Sequence, residues 1–264
     1  MNLDKFMPNE LLSLLIAMNI HIVSSIFLKS WKLPSLLNPL AKRGEEILSG
    51  TALFPEEGFH VVDVGAYRGW YTTLSSKMVG QRGLVYSFEP EPSNFKILSR
   101  VALLNGLKNA HLFRLALSDK DGFEFLHLSE HPSMHSIVLG RSAKRISVPC
   151  VKLDTLVKLM KIPRLDLIKI DVEGAELKVL KGCKKSIREF NPIFSIDVNH
   201  YNGEFEEVRA FMQDFNYKIY PLFGEANKPY SIVAYPSCKE DLVRHLINRT
   251  KELSSWIISY KLKT

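Results

Sequence analysis

The sequence predicts an α/β chain with an open, mostly parallel, Rossmann-like sheet and helices on both faces. Three observations predict it. Short apolar runs alternate with segments of helical period from residue 60 to residue 215. Five of those runs stop at a carboxylate: Asp63, Glu89, Asp119, Asp171 and Asp197. Finally, "YKIYPLF" and "YSIVAYP" flank "GEANKP" and read as a closing antiparallel pair.

Each element follows from local chemistry. "HVVDVG" (residues 60–65) is a short apolar run ending at glycine, as expected of a buried parallel strand. A helix follows over about 70–79, and "GLVYSFEP" is the second strand. "PSNFKILSRVALLNG" places Phe95, Leu98 and Ala102 at helical spacing, with Pro92 and Ser93 at its start and Gly106 at its stop. "HLFRLALSD" (111–119) is expected as one third strand, and "FEFLHL" and "ISVPCV" are β-like runs separated by a long polar loop. "LDTLVKLM" is helical, "LDLIKIDVEG" is a fourth core strand, and 175–190 reads as one helix. "IFSIDVNH" is the fifth strand. "FEEVRAFMQDF" aligns Phe205, Val208, Phe211, Met212 and Phe215 on one helix face, and a last helix starts near Lys239.

The chain of 264 residues is 46% hydrophobic and 24% charged, which excludes wholesale disorder. Its net charge of +7 is spread, with loose clusters at Lys42-Arg43, 141–145 and 181–185, so a solvated surface is expected and no nucleic-acid partner. Cys150, Cys183 and Cys238 fit neither a disulfide framework nor a zinc site, which points to a reducing, cytoplasmic compartment. Cys183 lies beside lysines but is expected to be a structural thiol.

Residues 1–50 are expected to form an N-terminal helical extension, and 51–264 the catalytic domain. "LLSLLIAMNIHIVSSIFL" (11–28) falls short of the ~20 apolar residues of a spanning helix and carries Ser13, Asn19, His21, Ser24 and Ser25. No basic region precedes it and no cleavage site follows it. With Trp31 between Lys29 and Lys32, residues 11–32 suit a packed or interfacial helix with peripheral membrane contact, a true span being the alternative.

Ligands of such sheets bind outside the carboxyl ends of the strands. Gly65 and Gly69 allow close backbone approach. Glu89 offers two acceptor oxygens to vicinal ribose hydroxyls, and Asp119 an acceptor to an adenine amine. Asp63 either binds a cofactor ammonium or orders the turn. A dinucleotide loop would need glycines where Tyr67 and Trp70 stand, and no phosphate-binding Gly-Lys-Ser/Thr is present. S-adenosylmethionine is the remaining common cofactor for this pattern.

"VVDVGAYRGWYT", "VYSFEPEPSNFKIL", "ALSDKDG" and "LDLIKIDVEGAELKVLKG" together resemble the FkbM-type S-adenosylmethionine-dependent methyltransferases, over roughly 60–200 and with the core reaching about 220. The resemblance implies a seven-stranded methyltransferase sheet with an antiparallel last strand. It implies a cofactor site of Asp63, Gly65, Tyr67, Gly69, Glu89, Pro90, Asn94, Ser118 and Asp119. "HPSMHSIVLG" resembles the family's serine-bearing loop near that site. The family more often has Asn where this chain has Ala66 or Tyr67.

The acceptor is expected beside Asp171, Glu173 and His200, at the ends of strands four and five. Glu173 or His200 is the candidate base and Asp171 a positioning group, while Glu173 and Glu176 also favour a helix N-terminus. Asp171, Asp197 and His200 are read as a polar acceptor pocket rather than a metal site, and His131 and His135 as loop residues. The expected activity is O-methylation of a sugar, glycan, lipid headgroup or secondary metabolite. A nicotinamide-dependent oxidoreductase and a nucleic-acid-directed methyltransferase or binding module are the alternatives.

Overall fold

A computed structural model describes residues 52–129, 133–140 and 144–261. The expected N-terminal extension, its 11–32 segment and His131 lie outside the described residues. Among the described residues no helix is long and apolar enough to cross a membrane.

The chain runs β1 (His60–Val64), α1 (Trp70–Val79), β2 (Leu84–Phe88), α2 (Pro92–Leu104), β3 (Ala110–Phe113), β4 (Ala116–Leu117), β5 (Gly122–His127) and β6 (Arg145–Val151). It continues through α3 (Leu153–Met160), β7 (Leu167–Ile170), α4 (Glu176–Lys181), α5 (Lys184–Phe190), β8 (Ile193–Asp197), α6 (Glu204–Gln213), β9 (Tyr217–Glu225), β10 (Lys228–Pro236) and α7 (Glu240–Lys261). Seven strands form one sheet in the order β3-β2-β1-β7-β8-β10-β9. β3, β2, β1, β7 and β8 are mutually parallel. β10 runs antiparallel to both β8 and β9. The expected closing pair is therefore a hairpin that inserts its second strand beside β8.

The continuous apolar strands follow from burial on both faces. Val62, Val64, Tyr86, Phe88, Ile168, Ile170, Phe194 and Ile196 point to one core, closed by α3, α4, α5 and α6 through Leu153, Val179, Ile187 and Val208. Val61, Val85, Leu167 and Ile193 point to the other, closed by α1 and α7 through Tyr71, Val243 and Leu246. Each fully buried Phe or Leu contributes about 1.5–3 kcal/mol, and the Phe88 and Phe113 rings stack at 4.9 Å between neighbouring strands.

The second face changes character along the strands. Two residues on from its apolar row stand Asp63, Ser87, Lys169 and Ser195, side by side in register and buried. Two residues further come Gly65, Glu89, Asp171 and Asp197. The strand period of two thus assembles a polar lattice at the carboxyl edge from four separate chain segments.

Two elements differ from expectation. Residues 111–119 do not form one strand: β3 ends at Phe113, and Ala116–Leu117 pairs with Cys150–Val151 in a small sheet ordered β4-β6-β5. This turn buries Ala116 with Leu126, Val148 and Cys150, a core that an edge strand of the main sheet would leave exposed. The helix expected over 175–190 breaks at Gly182-Cys183, where a Cβ on Gly182 would stand 2.0 Å from the Ser118 carbonyl oxygen. Glycine there lets the end of β4 seat against the break. Cys183 is a structural thiol, its ionisation pushed up by burial.

Candidate active site

The site begins at the turn after β1. Gly65 and Ala66 both donate their N–H to the Phe88 carbonyl, at 3.1 and 3.0 Å, which ties the turn to the end of β2. Gly65 has φ +76°, and a Cβ on it would lie 1.8 Å from the Asp171 carbonyl oxygen. Its glycine is demanded first by the end of β7, before any ligand arrives. Tyr67 holds φ +50° and donates its N–H to Glu89 Oε2 at 2.9 Å. Among non-glycine residues Asn adopts that left-handed conformation most readily.

Glu89 is buried and accepts a second backbone bond, Glu91 N–H to Oε1 at 2.9 Å. Burial pushes its carboxyl up to about 8, against the two backbone bonds that hold it down. A carboxylate has about four acceptor positions, so two remain for a ligand. Glu91 in turn caps α2 by accepting from Asn94 N at 2.6 Å, with Pro92 in the first turn. Gly65, Tyr67, Glu89, Pro90 and Asn94 line one cavity with Leu115–Leu117, Ser133, His135, Ile137 and Asp171. The serine-bearing loop, as far as it is described, therefore lies at the site.

Four expected cofactor residues stand outside that cavity, each for a visible reason. Asp63 lies under the turn, where its Oδ2 accepts from Thr72 Oγ1 at 2.7 Å and its Oδ1 stands 3.5 Å from the Lys169 ammonium. Gly69 starts α1 at φ +91°, and a Cβ there would stand 2.6 Å from Leu98 Cδ1, so it serves the packing of α2. Ser118 is buried against Gly182, because β4 leaves the main sheet. Asp119 follows it onto the surface and accepts from Ser118 Oγ at 3.2 Å.

Sequence reasoning missed Lys169. Its ammonium donates to the Gly65 carbonyl at 3.0 Å and lies 3.5 Å from Asp63 Oδ1 and 3.4 Å from Asp171 Oδ2. Burial alone would lower its proton affinity, but Asp171, Asp63 and Asp197 outweigh that and raise it. The available signal was a lysine inside the apolar run "LIKI", where a cation requires buried acids.

On the far side of Asp171 the three expected acceptor-side residues converge. Ligand atoms of Asp171, Glu173 and His200 lie within 4.8 Å of one another, as do those of Glu176, His200 and Glu204. His200 Nε2 is 3.9 Å from Asp171 Oδ1. Glu173 takes φ +57° and Gly174 φ +97°, so the chain turns sharply here and a Cβ on Gly174 would meet Leu139 Cδ1 at 2.9 Å. Asp197 is pushed well above the carboxylate range by burial and by Asp171. Oxygen ligands with an imidazole suit magnesium or manganese. Here, however, Asp171 is matched by Lys169, and Glu176 and Glu204 accept backbone N–H from Val172 and His200 at 2.9 and 2.8 Å.

The arrangement is a cavity lined by Glu89 and Asp171 with a polar wall beside it. The chain is 23% identical over 191 residues to "Methyltransferase 1" of Beauveria bassiana (strain ARSEF 2860), covering 64% of this chain and 75% of that protein. It is 24% identical over 193 residues to "Methyltransferase sdnD" of Sordaria araneosa, covering 60% and 73%. The crystal structure of Methyltransferase FkbM from Methylobacillus flagellatus KT superposes with a TM-score of 0.51 at 14% identity, a likeness of fold that covers 83% of this chain and 59% of that one. Residues 63–219, more than half of the chain, match the methyltransferase FkbM domain, and the protein belongs to that family.

Proposed function

We propose that this chain transfers the methyl group of S-adenosylmethionine to a hydroxyl oxygen of a small-molecule, glycan or lipid-headgroup acceptor. The observation that carries this reading is the meeting, in one cavity, of the Gly65 turn, the Glu89 carboxyl and the Asp171 carboxylate. This lining fits the cofactor: Glu89 keeps two acceptor positions for vicinal ribose hydroxyls. When bound, the cofactor supplies a methyl group already activated on a sulfonium.

The protein then has to align and to move one proton. The turn at 65–69 and Glu89 hold the nucleoside half, and Asp171 lies between that cavity and His200. An acceptor seated there has its hydroxyl beside His200 Nε2, which takes the proton as the oxygen becomes nucleophilic. Glu173, at the same corner, polarises or orients the acceptor. With Tyr67 and Trp70 in place of dinucleotide-loop glycines, and with methyltransferase kinship, nothing favours a nicotinamide cofactor.

Isothermal calorimetry on the full chain tests the cofactor. Saturable binding of S-adenosylmethionine and its demethylated product, with none for NAD, is expected; the reverse overturns the reading. Mass spectrometry of lysate metabolites incubated with the protein and isotopically labelled S-adenosylmethionine tests the acceptor class. Label on a nitrogen or on RNA in place of a hydroxyl oxygen would replace the O-methylation assignment.

A further inference from the structure

The ends of β7 and β8 repeat one local device. After β7, Glu176 at the first position of α4 reaches back and accepts from Val172 N at 2.9 Å. After β8, Glu204 at the first position of α6 accepts from His200 N at 2.8 Å. β7 and β8 are adjacent and parallel, so the two loops lie side by side and their carboxyl groups converge. Both are sealed from solvent, at 0% and 1% exposure. The His200 ring sits against them, with Nδ1 3.1 Å from Glu204 Oε2 and 3.4 Å from Glu176 Oε1, while Nε2 faces Asp171 Oδ1 at 3.9 Å.

We propose that Glu204, backed by a protonated Glu176, is the positioning residue of His200: it holds the imidazole in its Nδ1–H form and presents Nε2 to the acceptor hydroxyl. This deepens the function proposed above and rests on it.

The charge state follows from burial. Two buried carboxylates against a single imidazole N–H cannot both stay charged at acceptable cost. Glu176 Oε2 is buried and has no hydrogen-bonding partner among the described residues, so nothing at that oxygen compensates a charge on Glu176. Burial, then Glu204, pushes Glu176 well above the carboxylate range. Burial would raise Glu204 as well, but its bonds with His200 and Glu176 hold it low. The result is a neutral Glu176 packed beside a charged Glu204, which accepts the Nδ1 proton of His200. The ring is thereby fixed in the tautomer whose Nε2 can receive a proton. The titratable groups facing His200 are Glu204 from α6, Glu176 from α4, and Asp171 and Glu173 from the end of β7. Burial lowers its proton affinity, and Glu204, Asp171 and Glu173 more than restore it.

Nitrogen-15 NMR of the full chain labelled at its eight histidines reads tautomer and titration without an acceptor; His200→Asn assigns the signal. In the wild type, neutral His200 is expected in the Nδ1–H form. Glu204→Gln is expected to lower its titration midpoint by about one pH unit and to mix the tautomers. Glu204→Asp is expected to restore most of both. Glu176→Gln, which stands in for the neutral acid, is expected to change neither. An Nε2–H wild type, an unchanged Glu204→Gln, or a Glu176→Gln shift as large as that of Glu204→Gln overturns the proposal. Should Glu204→Gln not fold, the wild-type tautomer and the Glu176→Gln comparison decide alone. Calorimetry with S-adenosylmethionine on the same samples separates the two ideas: failed binding in the wild type removes the proposed function, while intact binding with an unaffected His200 removes only this inference.

Discussion

Lys169 donates to the carbonyl of Gly65 at 3.0 Å across the β1–β7 interface, and so ties the glycine turn to the strand that carries Asp171. The same ammonium is the cation nearest buried Asp63. The glycine turn and the Asp171 end of β7 thus share one buried counter-ion.

Removing that ion strands two carboxylates. Lys169→Met is expected to destabilise the fold by about 3–5 kcal/mol, as for a buried pair broken on one side. Urea denaturation checks this, and a loss below about 1 kcal/mol would mean that the acids are neutralised by protons instead.

The turn itself makes opposite demands at two positions. Gly65→Ala puts a Cβ 1.8 Å from the Asp171 carbonyl oxygen at positive φ, so both stability and S-adenosylmethionine binding are expected to collapse. Tyr67→Asn relieves a left-handed tyrosine, and thermal unfolding is expected to show a gain of up to about 1 kcal/mol. A drop there would show that the Tyr67 ring, lying against Arg68, contributes more than its backbone strain costs.

Glu89 makes the protein pH-sensitive in a defined direction. Its carboxyl loses its proton near pH 8 in the fold, against the ordinary 4.5 of an exposed chain. Between those values the unfolded state holds fewer protons, so Glu89 lowers stability as pH rises from about 4.5 to about 8; below that window its contribution is intact and above it the loss is complete. Urea titrations at pH 5 and pH 8 should show a slope that Glu89→Gln reduces. Ribose hydroxyls favour the charged carboxylate, so S-adenosylmethionine affinity is expected to rise over the same window with release of a proton. Glu89→Gln should cost about ten- to hundredfold in affinity. Calorimetry in buffers of different ionisation enthalpy counts the proton, and binding without proton release would remove Glu89 from the ribose contact.

Metal ions are expected to be spectators. Asp171, Glu176 and Glu204 each have partners within the protein, so millimolar magnesium, manganese or EDTA should leave the melting temperature and cofactor affinity unchanged. A melting temperature that climbs with manganese concentration would reveal a true site, because ligand binding to the fold stabilises by mass action.

Much of this is legible in the sequence. The apolar runs, the glycine after β1, the Pro92 helix start and the carboxylates at strand ends are local signals, and local sterics and burial decide them. Hence Gly65, Tyr67, Glu89, Pro90 and Asn94, close in sequence or at consecutive strand ends, line one cavity. Asp171, Glu173 and His200 also converge, because β7 and β8 are neighbours.

What the sequence determined by itself, then, is the order and type of elements and the chemistry available at their ends, since periodicity and turn residues act over a few positions. The tertiary structure decided which of those groups meet. Nothing local tells that 111–119 leaves the main sheet at Phe113, taking Ser118 and Asp119 away from the cavity; burial of the small-sheet core decides it. Nor does spacing reveal that Lys169 serves both Asp63 and Asp171, or that Glu176 and Glu204 close on one imidazole. Those contacts depend on strand order and register across distant segments, and the low dielectric of a shared interior then sets which groups hold a charge and which hold a proton.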